Sequence, residues 1–285
     1  MYTNLNMKKG VKMADIKMLT EKATQIRKDI VMMINKSKSG HPGGSLSAAD
    51  IVSTLYFHEM NIDPKNPTME DRDRFVLSKG HAAPVLYSAL AEKGYFDREL
   101  LSTLRQFGSP LQGHPDMKKL PGIDISTGSL GQGLSVANGM ALSAKLDNKS
   151  YRTYVLLGDG EVQEGQVWEA AMTSAHYKLD NVCAFLDSNN LQIDGDVDKV
   201  MGVEPLDEKW RAFGWNVIII DAHNFEEILG ALEAAKAHKG QPTMIIAKSV
   251  KGKGVSFMEN VAGFHGVAPT DEETAQAIEE LNKIK

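Results

Sequence analysis

A Gly-Asp-Gly triplet and a pair of asparagines follow two apolar runs in the middle of the chain. Gly158-Asp159-Gly160 comes after the run 151–157, and Asn189-Asn190 comes after the run 182–186, with a helical pattern over 166–178 between them. Strands joined by one such helix run parallel, so their carboxyl ends meet at one edge of a sheet. A carboxylate, an amide oxygen and a loop carbonyl at that edge suit a hard divalent cation that also binds phosphate oxygens. Each motif alone is typical of a tight turn, but the pair predicts a metal and phosphate site.

Four of the eight histidines stand next to glycine in loop-like contexts, namely His41, His81, His114 and His265. An imidazole can donate, accept or shuttle a proton near neutral pH. One such histidine is typical of a hydrogen-bonded structural residue, and the spacing of the four does not match a zinc site. Four of them beside a phosphate site indicate contacts to a polyhydroxylated substrate. The other four are predicted to be structural or solvent-facing: His58, His176, His223 and His238.

Three further motifs are weaker evidence for a functional site. The order of glycines in 128–133 is Gly-x-x-Gly-x-Gly, which does not match the dinucleotide fingerprint. The segment Lys251-Gly-Lys-Gly254 is too short for a P-loop and is predicted to be a solvated turn after a strand. Cys183 lies in an apolar run, where a buried thiol is inert.

The first third of the chain reads as helices around one short strand. Apolar residues at three- and four-residue spacing predict a helix over 19–34, which ends where glycine and proline follow in 39–44. Ser47, with Asp50 three residues later, predicts the N-cap of a second helix that reaches about residue 59. A strand over 74–77 and a helix over 82–93 are predicted next.

The remainder alternates between strands and helices. A second pair of strands, 215–221 and 243–248, flanks a helical pattern over 225–238, and Thr270 with Glu273 forms a capping-box pattern before the last helix. Alternation of this kind predicts an α/β fold, a doubly wound and mainly parallel sheet with helices on both faces. No linker-like stretch divides the chain, so residues 1–285 are expected to form a single domain.

Composition narrows the class of protein. The formal net charge is −5 with no basic stripe, which argues against a nucleic-acid partner. No run of 18 apolar residues is present, so no membrane span is expected, and residues 1–12 lack the apolar segment of a secretory signal. The single cysteine favours a reducing compartment. We therefore expect a cytoplasmic enzyme or one chain of a larger enzyme.

The triplet and the asparagine pair together resemble the thiamine-diphosphate-binding motif. Further motifs, in the order of that family, make the chain similar to the transketolases over about residues 20–269: Ser39-Gly-His-Pro-Gly43, Lys79-Gly-His81, Gly113-His-Pro-Asp116, Thr127-Gly-Ser-Leu-Gly-Gln-Gly133, Gln163-Glu-Gly165 and Phe264-His-Gly266. The resemblance implies the thiamine-diphosphate-binding fold, with thiamine diphosphate and Mg²⁺, or another divalent cation such as Ca²⁺, as cofactors.

The resemblance also implies roles for single residues. Asp159, Asn189 and the Leu191 carbonyl would bind the metal, with Gly158 and Gly160 beside the diphosphate. Gly128 and Leu130 would contact the aminopyrimidine, and His81 and His265 would contact the diphosphate. Glu164 would lie at a subunit interface. The histidines that orient the sugar hydroxyls of the substrate would be His41, His114 and His265.

Full-length transketolases carry a second, pyrimidine-binding domain downstream on the same chain, and we expect that domain to be absent from this chain. The resemblance therefore implies an N-terminal subunit that is active only with a C-terminal partner subunit, in the form of an α₂β₂ heterotetramer. Its reaction would be transfer of a two-carbon ketol unit from a ketose phosphate to an aldose phosphate in the pentose phosphate pathway. Two alternatives stay open. One is a related two-subunit thiamine-diphosphate enzyme that acts on another sugar or a 2-oxo acid, and the other is a non-catalytic binding module.

Overall fold

The computed structural model of the chain describes residues 15–284. Residues 1–12, for which no secretory signal is expected, lie outside this range. Ten α-helices are present in the described range: α1 Ile16–Ser37, α2 Pro42–Ser47, α3 Ala49–Thr54, α4 Ala83–Lys93, α5 Gly133–Leu146, α6 Gly165–His176, α7 Val197–Met201, α8 Leu206–Ala212, α9 Phe225–Ala237 and α10 Asp271–Leu281. The strands are β1 Arg74–Leu77, β2 Thr153–Gly158, β3 Val182–Ser188, β4 Leu191–Gln192, β5 Gly195–Asp196, β6 Asn216–Asp221 and β7 Thr243–Lys248.

Five strands form one sheet in the order β1-β2-β3-β7-β6, and every neighbouring pair is parallel. The predicted doubly wound parallel fold is therefore confirmed. Gly158 pairs with Asp187 at the ends of β2 and β3, so the two loops that follow these strands start side by side. The short strands β4 and β5 make a separate antiparallel hairpin directly after β3.

Alternate residues of each strand supply two hydrophobic cores, one on each face of the sheet. Tyr154 and Leu156 pack in the core that includes α1, α3, α4, α9 and α10, whereas Val155 and Leu157 pack in the core that includes α5, α6 and α8. A strand buried on both faces reads as a continuous apolar run, which explains the sequence of β2 and β3. Cys183 of β3 is fully buried, and burial raises the pKa of its thiol to about 12. Within 15–284, no helix is long and apolar enough to cross a bilayer.

The predicted first helix ends at Ser37, before the glycine and proline residues of 39–44, and Pro42 then begins helix α2, where a missing N–H costs nothing. One local prediction was wrong. Ser47 is not an N-cap: its hydroxyl donates to Asp187 Oδ2 at 2.6 Å, and α3 begins after Ala48 without a side-chain cap. The capping box of Thr270 and Glu273 at the start of α10 is confirmed.

Candidate functional site

A buried ion pair lies at the carboxyl end of the central strand, β3. Asp187 is fully buried, and it accepts hydrogen bonds from Lys79 Nζ, from Ser47 Oγ at 2.6 Å and from Ser249 Oγ. Lys79 Nζ also donates to the Gly44 carbonyl at 2.7 Å. Burial disfavours the carboxylate, but the ammonium and these donors hold the pKa of Asp187 below its ordinary value. The pair thus joins the ends of β1, β3 and β7 to helix α2.

Asp159 and Asn189 lie at the same edge, as the strand order predicts. Asp159 is buried, with its carboxylate oxygens accepting from Gly160 N at 2.8 Å and from Asn190 N. Asn189 Nδ2 donates to Asp187 Oδ2 at 3.4 Å. Both side chains line one cavity of about 350 Å³. Burial and the nearby Asp187 raise the pKa of Asp159 to about 6.

The oxygen atoms at this corner fit a hard divalent cation. Asp159 is a buried carboxylate without a salt bridge in the described range, and burial together with Asp187 raises its pKa although Lys251 lies nearby. The Asn189 amide oxygen and the Leu191 carbonyl belong to the same turn, in which Leu191 N donates to Asn189 Oδ1 at 3.1 Å. Carboxylate, amide and carbonyl oxygens are the ligands that Mg²⁺ and Ca²⁺ take. The metal roles of these three residues remain predictions.

Lys251 corrects another prediction, because it is not part of a solvated turn. Its side chain is 2% exposed, and Nζ lies 2.8 Å from both the Leu191 carbonyl and His265 Nδ1. Burial and the neighbouring Lys79 lower the pKa of Lys251 to about 8. Two lysines that are almost fully buried therefore lie beneath the predicted phosphate site. Sequence reasoning missed both as site residues, although each stands next to a glycine in a recognisable motif.

The loop that carries Lys251 is held from behind by a buried polar network. Val250 N donates to His223 Nε2 at 2.9 Å, and His223 Nδ1 lies 2.7 Å from Asp50 Oδ2. Arg27 donates to both oxygens of Asp50 at 2.6 and 2.9 Å, and its Nε donates to the Lys253 carbonyl. His223 is thus structural, as predicted, and it fixes the backbone that places Lys251.

Three of the four glycine-flanked histidines form a triangle. The ring centroids of His41, His81 and His265 lie 5.2–5.6 Å apart. Burial, together with nearby cations, lowers the pKa of His41 to about 4, of His81 to about 2 and of His265 to about 3. All three rings are therefore neutral at physiological pH, and each offers one donor and one acceptor nitrogen.

His114 lies outside the triangle, on the other side of a half-buried arginine. The guanidinium of Arg105 is 3.5 Å from His41 Nδ1, and it passes so close to Gly113 that a Cβ there would lie 2.9 Å from Arg105 Cζ. His114 is exposed and packs on Gly128, with which it lines a second cavity of about 580 Å³. Burial and Arg105 lower its pKa as well. Arg105 was also missed by sequence reasoning, because no local pattern marks it.

Leu130 and Glu164 lie at the rim of the site. Leu130 is 37% exposed, and Glu164 is exposed at the N-terminus of α6. The two meet through Gly131, where an added Cβ would lie 2.7 Å from Glu164 Cβ. Both side chains are accessible from outside the chain.

The chain matches the family model described as "Transketolase, thiamine diphosphate binding domain" over residues 19–282. It is 49% identical, over 93% of its length and 96% of the relative, to the 6-deoxy-6-sulfo-D-fructose transketolase subunit SqwG of Clostridium sp. (strain MSTE9). It is 44% identical, over 90% of its length and 91% of the relative, to an apulose-4-phosphate transketolase subunit from Phocaeicola vulgatus.

Solved structures agree with the sequence relatives. Transketolase from Campylobacter jejuni superposes with a TM-score of 0.89 at 39% identity, covering 94% of this chain and 43% of that one. Transketolase from Leishmania mexicana superposes with a TM-score of 0.88 at 32% identity, covering 95% of this chain and 42% of that one. The chain therefore spans about two fifths of the length of these transketolases.

We expect the C2–H NMR signals of His41, His81 and His265 to stay constant from about pH 8 to about pH 5, because their lowered pKa values keep the rings neutral. An unfolded histidine titrates near 6.5. The neutral rings therefore contribute stability above pH 6.5 that is lost as the pH falls toward about 4 and below. Urea unfolding at several pH values measures this loss of stability, and we expect the loss to be smaller in His81→Gln than in the wild type. Titration of the three signals near pH 6.5 would contradict the assignment.

Proposed function

The chain belongs to the transketolase family, whose thiamine diphosphate binding domain it matches, and we propose that it is the diphosphate-binding subunit of a two-chain transketolase. In this proposal residues 1–285 supply one diphosphate-binding domain, and a separate cytoplasmic partner supplies the pyrimidine-binding domain. The observation that carries it is that relatives matched over more than nine tenths of their length are named as subunits. Single-chain transketolases are more than twice as long as the matched region.

The cofactor would be held at the corner between β2 and β3. Asp159, Asn189 and the Leu191 carbonyl would bind the divalent cation, and Gly158 and Gly160 would let the diphosphate approach the backbone. When bound, thiamine diphosphate supplies a carbanion that attacks a ketose carbonyl.

Positive charge beneath this corner supports an anionic ligand. Lys79 and Lys251 are both buried, and Lys251 has no carboxylate within salt-bridge distance in the part of the chain that the structure describes. Lys79 is already paired with Asp187, so the buried Lys251 ammonium is the charge that favours a diphosphate, because a buried charge needs a compensating partner. His81 and His265, which pack beside these lysines, would donate hydrogen bonds to the diphosphate from neutral rings.

The substrate would meet the histidines in front of the cofactor. His41, His114 and His265 would bind sugar hydroxyls, since a neutral imidazole both donates and accepts. They would orient the ketose, and they could pass a proton to or from a hydroxyl as the carbon–carbon bond breaks and forms. Gly128 and Leu130 would offer backbone groups to the aminopyrimidine.

The partner subunit would cover the rim that Leu130 and Glu164 expose. Glu164 would lie at the interface and help to position the carboxylate that the partner contributes to the pyrimidine ring. Two copies of each chain would give the α₂β₂ assembly. The exposed rim supports this arrangement, because an apolar side chain beside the cofactor site gains from being covered.

The donor substrate is a phosphorylated or otherwise anionic ketose. A sulfonated ketose is a specific second candidate, since the relative at 49% identity is named for 6-deoxy-6-sulfo-D-fructose.

Xylulose 5-phosphate, apulose 4-phosphate and 6-deoxy-6-sulfofructose should therefore be compared as donors, with Mg²⁺, thiamine diphosphate and a co-expressed candidate partner. We expect ketol transfer only when both chains are present. Transfer by this chain alone would contradict the two-chain proposal, and the preferred donor decides whether the pentose phosphate pathway is involved.

Asp159→Ala should abolish Mg²⁺-dependent binding of thiamine diphosphate, because it removes the only anionic ligand proposed for the metal. Isothermal titration of the assembled pair measures this loss, and circular dichroism checks the fold. Asp198→Ala is the matched control, since Asp198 is an exposed carboxylate that lines the same cavity but is not a proposed ligand. Unchanged cofactor affinity in Asp159→Ala would remove the metal assignment.

His114→Ala should slow ketol transfer by about 10²-fold or more and leave cofactor affinity unchanged, because the role proposed for His114 is to bind sugar hydroxyls and not the cofactor. Steady-state kinetics and cofactor titration of the same preparation separate the two effects. His238→Ala, at the opposite edge of the sheet, is the control. Normal turnover with weakened cofactor binding would show that the role given to His114 is wrong.

A further inference from the structure

The carboxylate of Glu161 is buried and holds three hydrogen bonds but no ion pair in the described range. Glu161 is 3% exposed. Its Oε1 accepts from Ser78 Oγ and from Gly131 N at 2.9 Å, and its Oε2 accepts from Gly158 N at 3.0 Å. Burial raises its pKa, while the three donors favour the ionised form. A buried carboxylate of this kind lowers the stability of the fold unless every one of its hydrogen-bond donors stays in place.

The three donors belong to three separate segments of the proposed cofactor site. Ser78 directly follows β1 and leads into Lys79 and His81. Gly131 lies in the 128–133 loop, which would contact the aminopyrimidine, and Gly158 precedes the proposed metal ligand Asp159. One side chain thus joins the diphosphate, pyrimidine and metal segments, although Gly131 and Ser78 stand 30 and 83 residues before Glu161 in the chain.

Besides its contact with Glu161, the 128–133 loop is held by a hydrogen bond from Gln132 Nε2 to Gln166 Oε1 of α6 at 2.7 Å. It contains no helix or strand before α5 begins at Gly133, and Gly131 adopts φ +84°, a conformation that favours glycine. The loop lies so close to β1 that a Cβ on Gly133 would be 2.4 Å from Ser78 Oγ. Gln166 holds the loop against α6, whereas the glycines permit its approach to Ser78 and Glu161 joins it to Ser78 and to Gly158.

We propose that Glu161 is a positioning residue that sets the spacing between the aminopyrimidine loop and the metal–diphosphate corner. The proposal deepens the proposed function and rests on it for the identity of the ligand. Glu161 does not touch the cofactor itself. It acts by holding Gly131 N and Gly158 N on opposite oxygens of one rigid carboxylate, so that the two segments move together.

Glu161→Gln changes this contact without changing its size. Whichever way the amide is turned, its nitrogen faces a backbone N–H, either Gly131 N or Gly158 N, and one hydrogen bond must break. Asp73→Asn is the matched control. Asp73 is also a buried carboxylate that accepts two backbone N–H groups, from Arg152 at 2.7 Å and from Asn61 at 2.8 Å, but it lies before β1 at the opposite edge of the sheet.

The first measurement is hydrogen–deuterium exchange of the full chain without cofactor. In Glu161→Gln we expect the amides on the side of the broken hydrogen bond, those of 128–133 or that of Gly158, to exchange about tenfold faster or more, which matches the loss of a hydrogen bond to a charged group. Asp73→Asn should leave these amides at the wild-type rate. Unchanged exchange in Glu161→Gln, or equal acceleration in Asp73→Asn, would overturn the proposal.

The second measurement compares two probes on the assembled pair with Mg²⁺. Thiamine diphosphate spans both segments, whereas inorganic pyrophosphate reaches only the metal–diphosphate corner. Glu161→Gln should raise the Kd of thiamine diphosphate by about tenfold to a hundredfold, and the Kd of pyrophosphate by clearly less. Equal weakening of both probes would overturn the coupling role. If the wild-type pair binds no thiamine diphosphate, the proposed function fails, while the exchange measurement still decides whether Glu161 holds the loop.

Discussion

Asp187 is a fully buried carboxylate at the end of the central strand, and its charge has to be matched inside the protein. Lys79 from the end of β1 matches it, and the hydroxyls of Ser47 and Ser249 bind the remaining lone pairs. Removing one partner of such a pair costs about 3–5 kcal/mol, because the other charge is left uncompensated. The contacts of this one carboxylate therefore fix how β1, helix α2 and the loop after β7 meet at the edge where Asn189 also begins its turn.

The electrostatics of that edge follow from the same constraint. Lys79 and Lys251 bring positive charge into a buried corner, and their presence, together with burial, keeps His81 and His265 neutral. An anionic ligand is attracted by the ammonium of Lys251, which forms no salt bridge within residues 15–284, and it meets imidazoles that can still donate. The arrangement suits a metal-bound diphosphate better than a neutral ligand. In the proposed function, the other end of the cofactor would meet the 128–133 loop and the partner subunit.

Much of the fold and of the candidate site could be predicted from the sequence. The features that could not be predicted share one physical cause. Asp159 and Asn189 were found because parallel strands deliver their carboxyl ends to one edge, a rule that needs only strand and helix patterns. The errors at Ser47 and Lys251 arose because local patterns, a cap and a Gly-Lys-Gly turn, were outweighed by partners 140 and 60 residues away. Lys79 was likewise visible in a motif, but its partner Asp187 was hidden inside an apolar strand. Such long-range pairings have no signature within a short window of sequence.

In the proposed function, this chain binds the metal–diphosphate end of the cofactor, and a partner binds the pyrimidine end. The most direct test is a crystal structure of the assembled pair with thiamine diphosphate and Mn²⁺ in place of Mg²⁺, with the metal located by its anomalous scattering. We expect one strong peak per site, bound by Asp159, Asn189 and the Leu191 carbonyl, with the aminopyrimidine against the partner. A metal peak on the partner, or a cofactor enclosed by one chain alone, would contradict the account.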